Sequence, residues 1–143
     1  MSFLKSMDIS ASALTAQRVR MDVIAENLAN INTTRTAEGE PYRRRYVVMQ
    51  QREDQTFAGM LDRAKAKSNG SGVRVTEIRE DESPFKLDYD PDHPDANEEG
   101  YVQMPNVDLV VEMVDMMAAT RSYEANITAT NAIKSMALKA LEI

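Results

Sequence analysis

NVDLVVEMVDMMAATRSYEANITATNAIKSMALKALEI, residues 106–143, decides the fold. Along it Leu109, Met113, Met116, Thr120, Tyr123, Ile127, Thr130, Lys134, Ala137 and Leu141 alternate steps of four and three. That is the spacing of a single helix face. A second line through Ala129, Ile133, Met136, Ala140 and Ile143 makes the last third apolar on two adjacent faces, more than one partner helix covers. Pro105 and Asn106 form the entry, with Asn106 or Asp108 as N-cap and the acids Asp108 and Glu112 favourably placed at the positive end of the helix dipole. At 1.5 Å per residue such a helix is about 50 Å long.

The other end of the chain carries a matching pattern. Met7, Leu14, Met21 and Leu28 recur every seven residues, flanked by Leu4, Ala11, Ile24, Ala25 and Ile31. This is a narrow seam of coiled-coil kind. Asp8 or Ser10 is the expected N-cap, and the helix should fade across residues 30–36, where Asn and Thr side chains compete for backbone hydrogen bonds. All five glycines and all five prolines lie between residues 39 and 105, so both ends are free of helix breakers. The predicted organisation is an N-terminal helix over 1–34, a central insert over 35–104 and a C-terminal helix over 105–143.

The insert reads differently. Tyr42–Gln50 (YRRRYVVMQ), Val73–Ile78 (VRVTEI) and Pro84–Tyr89 (PFKLDY) have the β-branched and aromatic content of short strands. Residues 55–67 suit a short helix or a mobile loop, and SNGSG at 68–72 is a turn or linker by composition. Residues 35–74 hold nine basic and five acidic groups; residues 75–101 hold two basic and ten acidic. The fold class expected is mainly α with a small β insert, the two terminal helices pairing in a coiled-coil-like layer.

Composition excludes most chemistry. With 17 Lys plus Arg against 23 Asp plus Glu, the net charge of −6 argues against a nucleic-acid binder. The absence of cysteine removes disulfides, thiol nucleophiles and thiolate metal sites. The start MSFLKSMDISASAL is broken by Lys5, Ser6, Asp8 and Ser10, so no secretory leader is expected, and no run reaches the roughly 18 apolar residues of a membrane span. In DYDPDHPDANEE the acids Asp88, Asp90, Asp92 and Glu99 match four ligand positions of an EF-hand loop, but His93 stands where the sharp turn needs glycine and Pro91 and Pro94 stiffen the path. A solvated acidic turn is the expectation, without metal or cofactor. His93 is the single histidine. It has neither a thiol nucleophile nor a serine in an elbow sequence to work with, and SNGSG lacks the lysine of a phosphate loop. No enzymatic activity is expected.

Arg43, Arg44 and Arg45, with Arg35 and Arg52 nearby, form the one basic cluster. Strand alternation would put Arg43 and Arg45 on one face and Arg44 with Tyr42 and Tyr46 on the other. A solvated strand is one outcome. The other is a pairing of this cluster with the acidic stretch 75–101, within a subunit or across to a neighbour. Ten methionines and no tryptophan suit adaptable contact surfaces. Two terminal seams exceed what one small hairpin buries, so self-association through terminal helices is expected.

These residues also carry a family resemblance. AENLANINT (Ala25–Thr33), preceded by QRVRM (Gln17–Met21), resembles the N-terminal motif of the flagellar rod, hook and hook-associated axial proteins. NVDLVVEMVDMMAATRSYEAN (Asn106–Asn126) resembles their C-terminal motif. SPFKLDYDPDHPDANEEGYVQMPNVDLV (83–110) and the tail KSMALKALEI (134–143) narrow the likeness to the proximal rod group. The resemblance implies a structural subunit of the proximal rod in the flagellar basal body. Its terminal helices would line a channel, its insert would face outward, and its subunits would stack helically into a torque-transmitting tube.

The implied partners are copies of itself and other rod proteins (FlgB-, FlgF- and FlgG-like), the basal-body adapter FliE and the flagellar type III export apparatus, with no nucleic acid and no membrane insertion. Export would proceed without a cleaved signal. Implied subunit contacts are Leu4, Met7, Leu14, Met21, Ile24, Leu28 and Ile31 at one end, and Leu109, Met113, Met116, Tyr123, Ile127, Ile133, Met136 and Leu141 at the other. Among the polar motif residues, Asn27, Asn30, Asn32 and Thr33 are expected to cap and turn the first helix. Arg121 and Glu124 are spaced to pair on one face, and Arg121 and Asn126 are expected to contact neighbouring subunits. The competing readings are another short proximal rod protein, FlgB-like, from which GYVQMPNV distinguishes the chain, and a cytosolic coiled-coil adaptor.

Overall fold

The computed structural model describes residues 3–52 and 71–142. Helix α1 (Phe3–Ala29) is followed by strands β1 (Arg45–Gln51), β2 (Val73–Glu80), β3 (Lys86–Tyr89) and β4 (Tyr101–Met104), then helix α2 (Leu109–Leu141). The chain is mainly helical with a small β insert. The expected helix or loop at 55–67, and most of SNGSG, lie outside the described residues.

Helix α1 begins ahead of both expected caps. No Gly, Pro or β-branched residue interrupts Phe3–Met7, so Asp8 and Ser10 fall inside the helix. Asp8 instead meets Arg52 at 3.2 Å, and Ser10 is buried. Helix α2 is capped by Asp108, whose Oδ1 accepts from the backbone N–H groups of Val110 and Val111 at 3.0 and 3.3 Å. That satisfies two of the donors a helix start leaves open. Of the two expected caps, Asp108 does the capping and Asn106 has another task.

The helices pack antiparallel, since Asn27 meets Glu112 while Met21 meets Thr120. Where they cross, small residues allow close approach: Ala119 is fully buried, and Ala16, Val23 and Ile24 lie within the same interior. Val102 and Val107 close the core beneath the start of α2.

The strands form two separate antiparallel pairs, β1–β2 and β3–β4. Strand β1 opens at Arg45, three residues later than its sequence pattern suggests: Tyr42 and Arg44 turn toward the helices, and Arg43 turns to Phe85. In the first pair Val48 lies opposite Glu77 and Met49 opposite Val75. Thr76 is the extra residue of a bulge, and its hydroxyl donates to the Val48 carbonyl at 3.1 Å.

This hairpin lies along α1. The backbone of Arg45 bonds to Asn27, Arg52 reaches Asp8 and the Val73 N–H donates to Ser12 Oγ at 3.1 Å. Seven strand residues cover about 24 Å, close to the roughly 28 Å between Asp8 and Asn27 on a helix. Gly72, at φ 101°, is where the hairpin touches α1; a Cβ there would run into Ser12.

Strand β4 has no counterpart in the strand pattern read from the sequence. Four residues of YVQM show no usable period, and only pairing with β3, Tyr89 against Tyr101 and Lys86 against Met104, makes them a strand. The acidic turn between β3 and β4 is held by its own side chains. Asn97 Oδ1 accepts from the N–H groups of Glu99 and Tyr101, and Asp90 Oδ1 accepts from Asp92. Among the described residues, no group of three or more His, Asp or Glu is arranged to hold a metal ion, and no helix is long and apolar enough to cross a membrane.

Candidate functional site

The most constrained chemistry in the chain is a buried polar cluster where both helices meet the insert. Asn27 and Glu112 are each fully buried, one near the end of α1 and the other one turn into α2. Asn27 Nδ2 donates to Glu112 Oε2 at 3.0 Å and to the Arg45 carbonyl at 2.8 Å. Its Oδ1 accepts from the Arg45 N–H at 2.9 Å and from the Tyr42 hydroxyl at 3.0 Å. Two donors and two lone pairs are therefore all used. Asn27 acts as a strand edge for Arg45, presenting one N–H and one C=O to its backbone, and so fastens β1 to α1.

Arg44 completes the cluster. Its Nε donates to Glu112 Oε1 at 2.6 Å, and its two terminal nitrogens lie 3.5 Å from Asp115 and 3.8 Å from Asp81. Asp115 in turn receives Arg20 at 3.0 Å. A buried carboxylate is tolerable only with such a charged, hydrogen-bonded partner. The Tyr42 hydroxyl is pushed up to about 12, first by burial and then by the nearby Glu26 carboxylate. It remains a donor to Asn27 across the whole physiological range.

Asn106, just ahead of α2, stitches the surrounding segments. Its Oδ1 accepts from the Arg44 N–H at 2.8 Å, and its Nδ2 donates to the carbonyls of Asp81 and Ser83. The Asp81 carboxyl is held below the ordinary carboxylate range by the hydroxyl and N–H of Ser83. Lys86 donates to the Val107 carbonyl at 2.8 Å and lies 3.6 Å from Asp108, tying β3 to the start of α2. Asp108 is likewise lowered, by the two backbone N–H groups it caps.

The basic cluster thus divides. Arg44 with Asp81 and Arg45 with Glu80 pair across to the acidic stretch within the chain, and Arg35 lies 3.8 Å from Asp95. Arg43 stacks on Phe85 at 4.3 Å. The sequence left open whether this pairing is internal; these contacts are internal.

The motif residues separate in the same way. Asn30 and Thr33 form the turn after α1: Asn30 Nδ2 donates to the Glu26 carbonyl and its Oδ1 accepts from the Thr33 hydroxyl. Asn32 is exposed. Asn27 has a different role from the capping one expected of it, being the buried hub. Arg121 and Glu124 are both exposed and make no pair with each other, while Asn126 donates back to the Ser122 carbonyl at 2.8 Å. Glu112 and Arg44, the strongest pair in the cluster, had no signal in the sequence beyond an acid in the first turn of α2.

The apolar seam residues sit on two sides. On α1, Ile24 is buried, Met7, Leu14, Met21 and Leu28 are half-buried and Leu4 is exposed; Ile31, in the turn after α1, is half-buried. On α2, Met116, Tyr123 and Ile133 are half-buried against the rest of the chain. Leu109, Met113, Ile127, Met136 and Leu141 face out, Met113 at 53% exposure and Ile127 at 38%. The inner face of α2 runs one position off the heptad line, through Glu112, Ala119, Asn126 and Ile133. The rotation follows from the cluster, which draws Glu112 inward. It leaves Val110, Met113, Val114 and Met117 exposed at helical spacing on the first half of α2, a stripe of its own.

Two families match the chain. One described as flagella basal body rod protein matches residues 7–35, and one described as flagellar basal body rod FlgEFG protein C-terminal matches residues 98–143. Among curated proteins, the chain is 55% identical to the flagellar basal-body rod protein FlgC of Bacillus subtilis, covering 100% of this chain and 99% of that one. It is 45% identical to the proteins of that name from Borreliella burgdorferi and Salmonella typhimurium, each covering 100% of this chain and 98% of the relative.

Proposed function

The chain belongs to the flagellar basal-body rod protein family, and from that premise we propose that it is a structural subunit of the proximal rod. It stacks helically with its own copies and with FlgB-, FlgF- and FlgG-like subunits to form the drive shaft that transmits torque and encloses the export channel. Its terminal segments, 1–34 and 105–143, form the axial layer through α1 and α2, and the insert 35–104 faces outward. FliE serves as its adapter toward the base, and the flagellar type III apparatus delivers it without signal cleavage. Its work is mechanical and needs no catalytic side chain.

The observation that carries this reading is the outer stripe of α2. Val110, Met113, Val114 and Met117 are more than half exposed on a helix already paired along its other side. An apolar stripe of this length calls for a neighbour, and a tube of stacked subunits supplies one on every side.

The test is to locate the chain. Basal bodies purified from a strain carrying a tagged copy should contain it in the proximal rod, and deletion should abolish rod and swimming alike. Recovery at the position of a FlgB-like sibling would reassign it within the rod. Recovery only from the cytosol, with normal rods in the deletion strain, would overturn the assignment and favour an adaptor.

A further inference from the structure

We infer that Arg44, Glu112 and Asn27 form a register key that makes the two helices of one chain pair with each other in a single alignment and rejects slipped or exchanged pairings. The key acts within the chain, whatever its outer faces meet, so this inference stands apart from the rod assignment.

The apolar packing between the helices specifies alignment weakly. Apart from Tyr123 and Ile133, the inner face of α2 runs through Met116, Ala119, Ser122, Asn126 and Thr130. These are small, polar or adaptable residues that fit α1 nearly as well after a shift of one turn. The cluster does not tolerate such a shift. One turn displaces Glu112 by about 5.4 Å, breaking bonds of 2.6 and 3.0 Å to Arg44 and Asn27.

The residues that would take its place differ in kind. A slip of four positions brings Met116 opposite Asn27, and a slip of seven brings Ala119; neither offers a carboxylate to Arg44 and Asn27. A slip of three brings Asp115, a methylene shorter and already held by Arg20. Each leaves the half-buried Arg44 with Asp81 at 3.8 Å but without its closest acceptor, and removing one partner of a buried ion pair is strongly unfavourable.

The same reasoning covers exchange between chains. Arg44 and Asn27 are positioned together by the Arg45 backbone, so they form one half of the key. A helix from another subunit is accepted only if it brings a carboxylate to the Glu112 position in the same alignment. Specificity here comes from what is penalised as much as from what is attracted. A single polar group in an apolar helix seam is a known means of fixing register and partner.

The chain lacks cysteine, which allows direct measurement by disulfide trapping in the full-length protein. Met21→Cys with Thr120→Cys reports the native alignment, in which these side chains lie 3.7 Å apart. Met21→Cys with Glu124→Cys and Met21→Cys with Ile127→Cys report slips of four and seven. Non-reducing gels separate fast-migrating intrachain products from interchain dimers.

In the parental background the native pair should oxidise roughly tenfold faster than either slipped pair, within one chain. In Arg44→Met with Glu112→Leu, which removes the ion pair as a unit, that preference should fall to about threefold or less, with dimers appearing, while helix content is retained. If this variant loses its helix content, Glu112→Gln supplies the measurement, keeping the shape and removing the charge. Retained native preference in a folded variant would overturn the key and leave the cluster a stabilising contact only. Failure of the native pair to form in the parental chain would overturn it equally.

Discussion

Asn27 Nδ2 lies 3.0 Å from Glu112 Oε2, a bond between two fully buried side chains 85 residues apart. Removing Asn27 does more than break this bond. Asn27→Ala strands the Tyr42 hydroxyl and both backbone groups of Arg45 and weakens the support of a buried carboxylate. A loss of about 3 to 5 kcal/mol is expected, read as a lower urea midpoint at constant slope. A change under about 1 kcal/mol would show that the cluster rearranges around the gap.

Tyr42 gives the chain an alkaline limit. Its hydroxyl has a folded-state value of about 12 against 10 for an ordinary tyrosine. The raised value means that its contribution is complete below pH 10 and is lost as the pH climbs from 10 through 12. Two units correspond to about 2 to 3 kcal/mol. Urea midpoints of the parental chain should therefore fall more steeply above pH 10 than those of Tyr42→Phe. Absorbance titration of the five tyrosines should show one ionising last. Equal alkaline slopes would contradict a buried, protonated Tyr42.

Asp108 sets the acid side. Its lowered carboxyl caps α2 through Val110 and Val111, so its contribution is present above the ordinary aspartate value near 4 and fades as the pH drops through the lower folded value. Asp108→Ala should melt earlier than the parental chain at pH 7, and the two curves should converge as the solution is acidified below about pH 4. Asp108→Asn, which keeps an acceptor, should fall between them. A gap as wide at pH 2 as at pH 7 would mean that the carboxylate charge adds nothing to the cap.

Gly100 sits at φ 81°, where a Cβ would come 3.0 Å from Tyr89 Cε2 and 3.2 Å from Pro91 Cβ. Gly100→Ala adds both backbone strain and a clash beneath the Tyr89–Tyr101 edge contact, whose ring centroids are 5.2 Å apart. The expected loss is about 1 to 2 kcal/mol, with amide exchange accelerated in β3 and β4 first. Uniform acceleration across the chain would indicate that the β3–β4 hairpin does not open on its own.

Met113 and Ile127 separate folding from assembly. Both are exposed in the single chain, so Met113→Asp with Ile127→Asp should leave helix content and melting temperature within a few degrees of the parental values. The same double variant should abolish rod formation and swimming while the protein is still made and exported. Normal swimming would show that this side of α2 contacts nothing in the assembled rod.

Much of this fold is legible in residues 1–34 and 105–143. Long stretches without Gly or Pro and with a sustained period can only be helices, and Asp108 before an apolar run is a readable start. Ser10 and Asp8 mislead because a capping side chain has the same chemistry inside a helix as at its edge; only the distance to the first unpaired N–H distinguishes them. Strand β4 and the buried role of Glu112 are unreadable for a related reason. A four-residue strand is defined by its partner, and an acid in the first turn of a helix looks the same whether it faces water or Arg44. The outward turn of Met113 and Ile127 follows from that one burial, which a heptad count does not register.

Asn106 has a consequence for the order in which the chain folds. Residues 27 and 112 would have to close a loop of 85 residues to meet directly, a slow event for a free chain. Once β1 has paired with β2, the Asp81 carbonyl lies beside Arg44, and Asn106 bridges the two. The start of α2 is then delivered to the end of α1 through a few short closures. From that junction the two helices are already aligned to pair outward along their length.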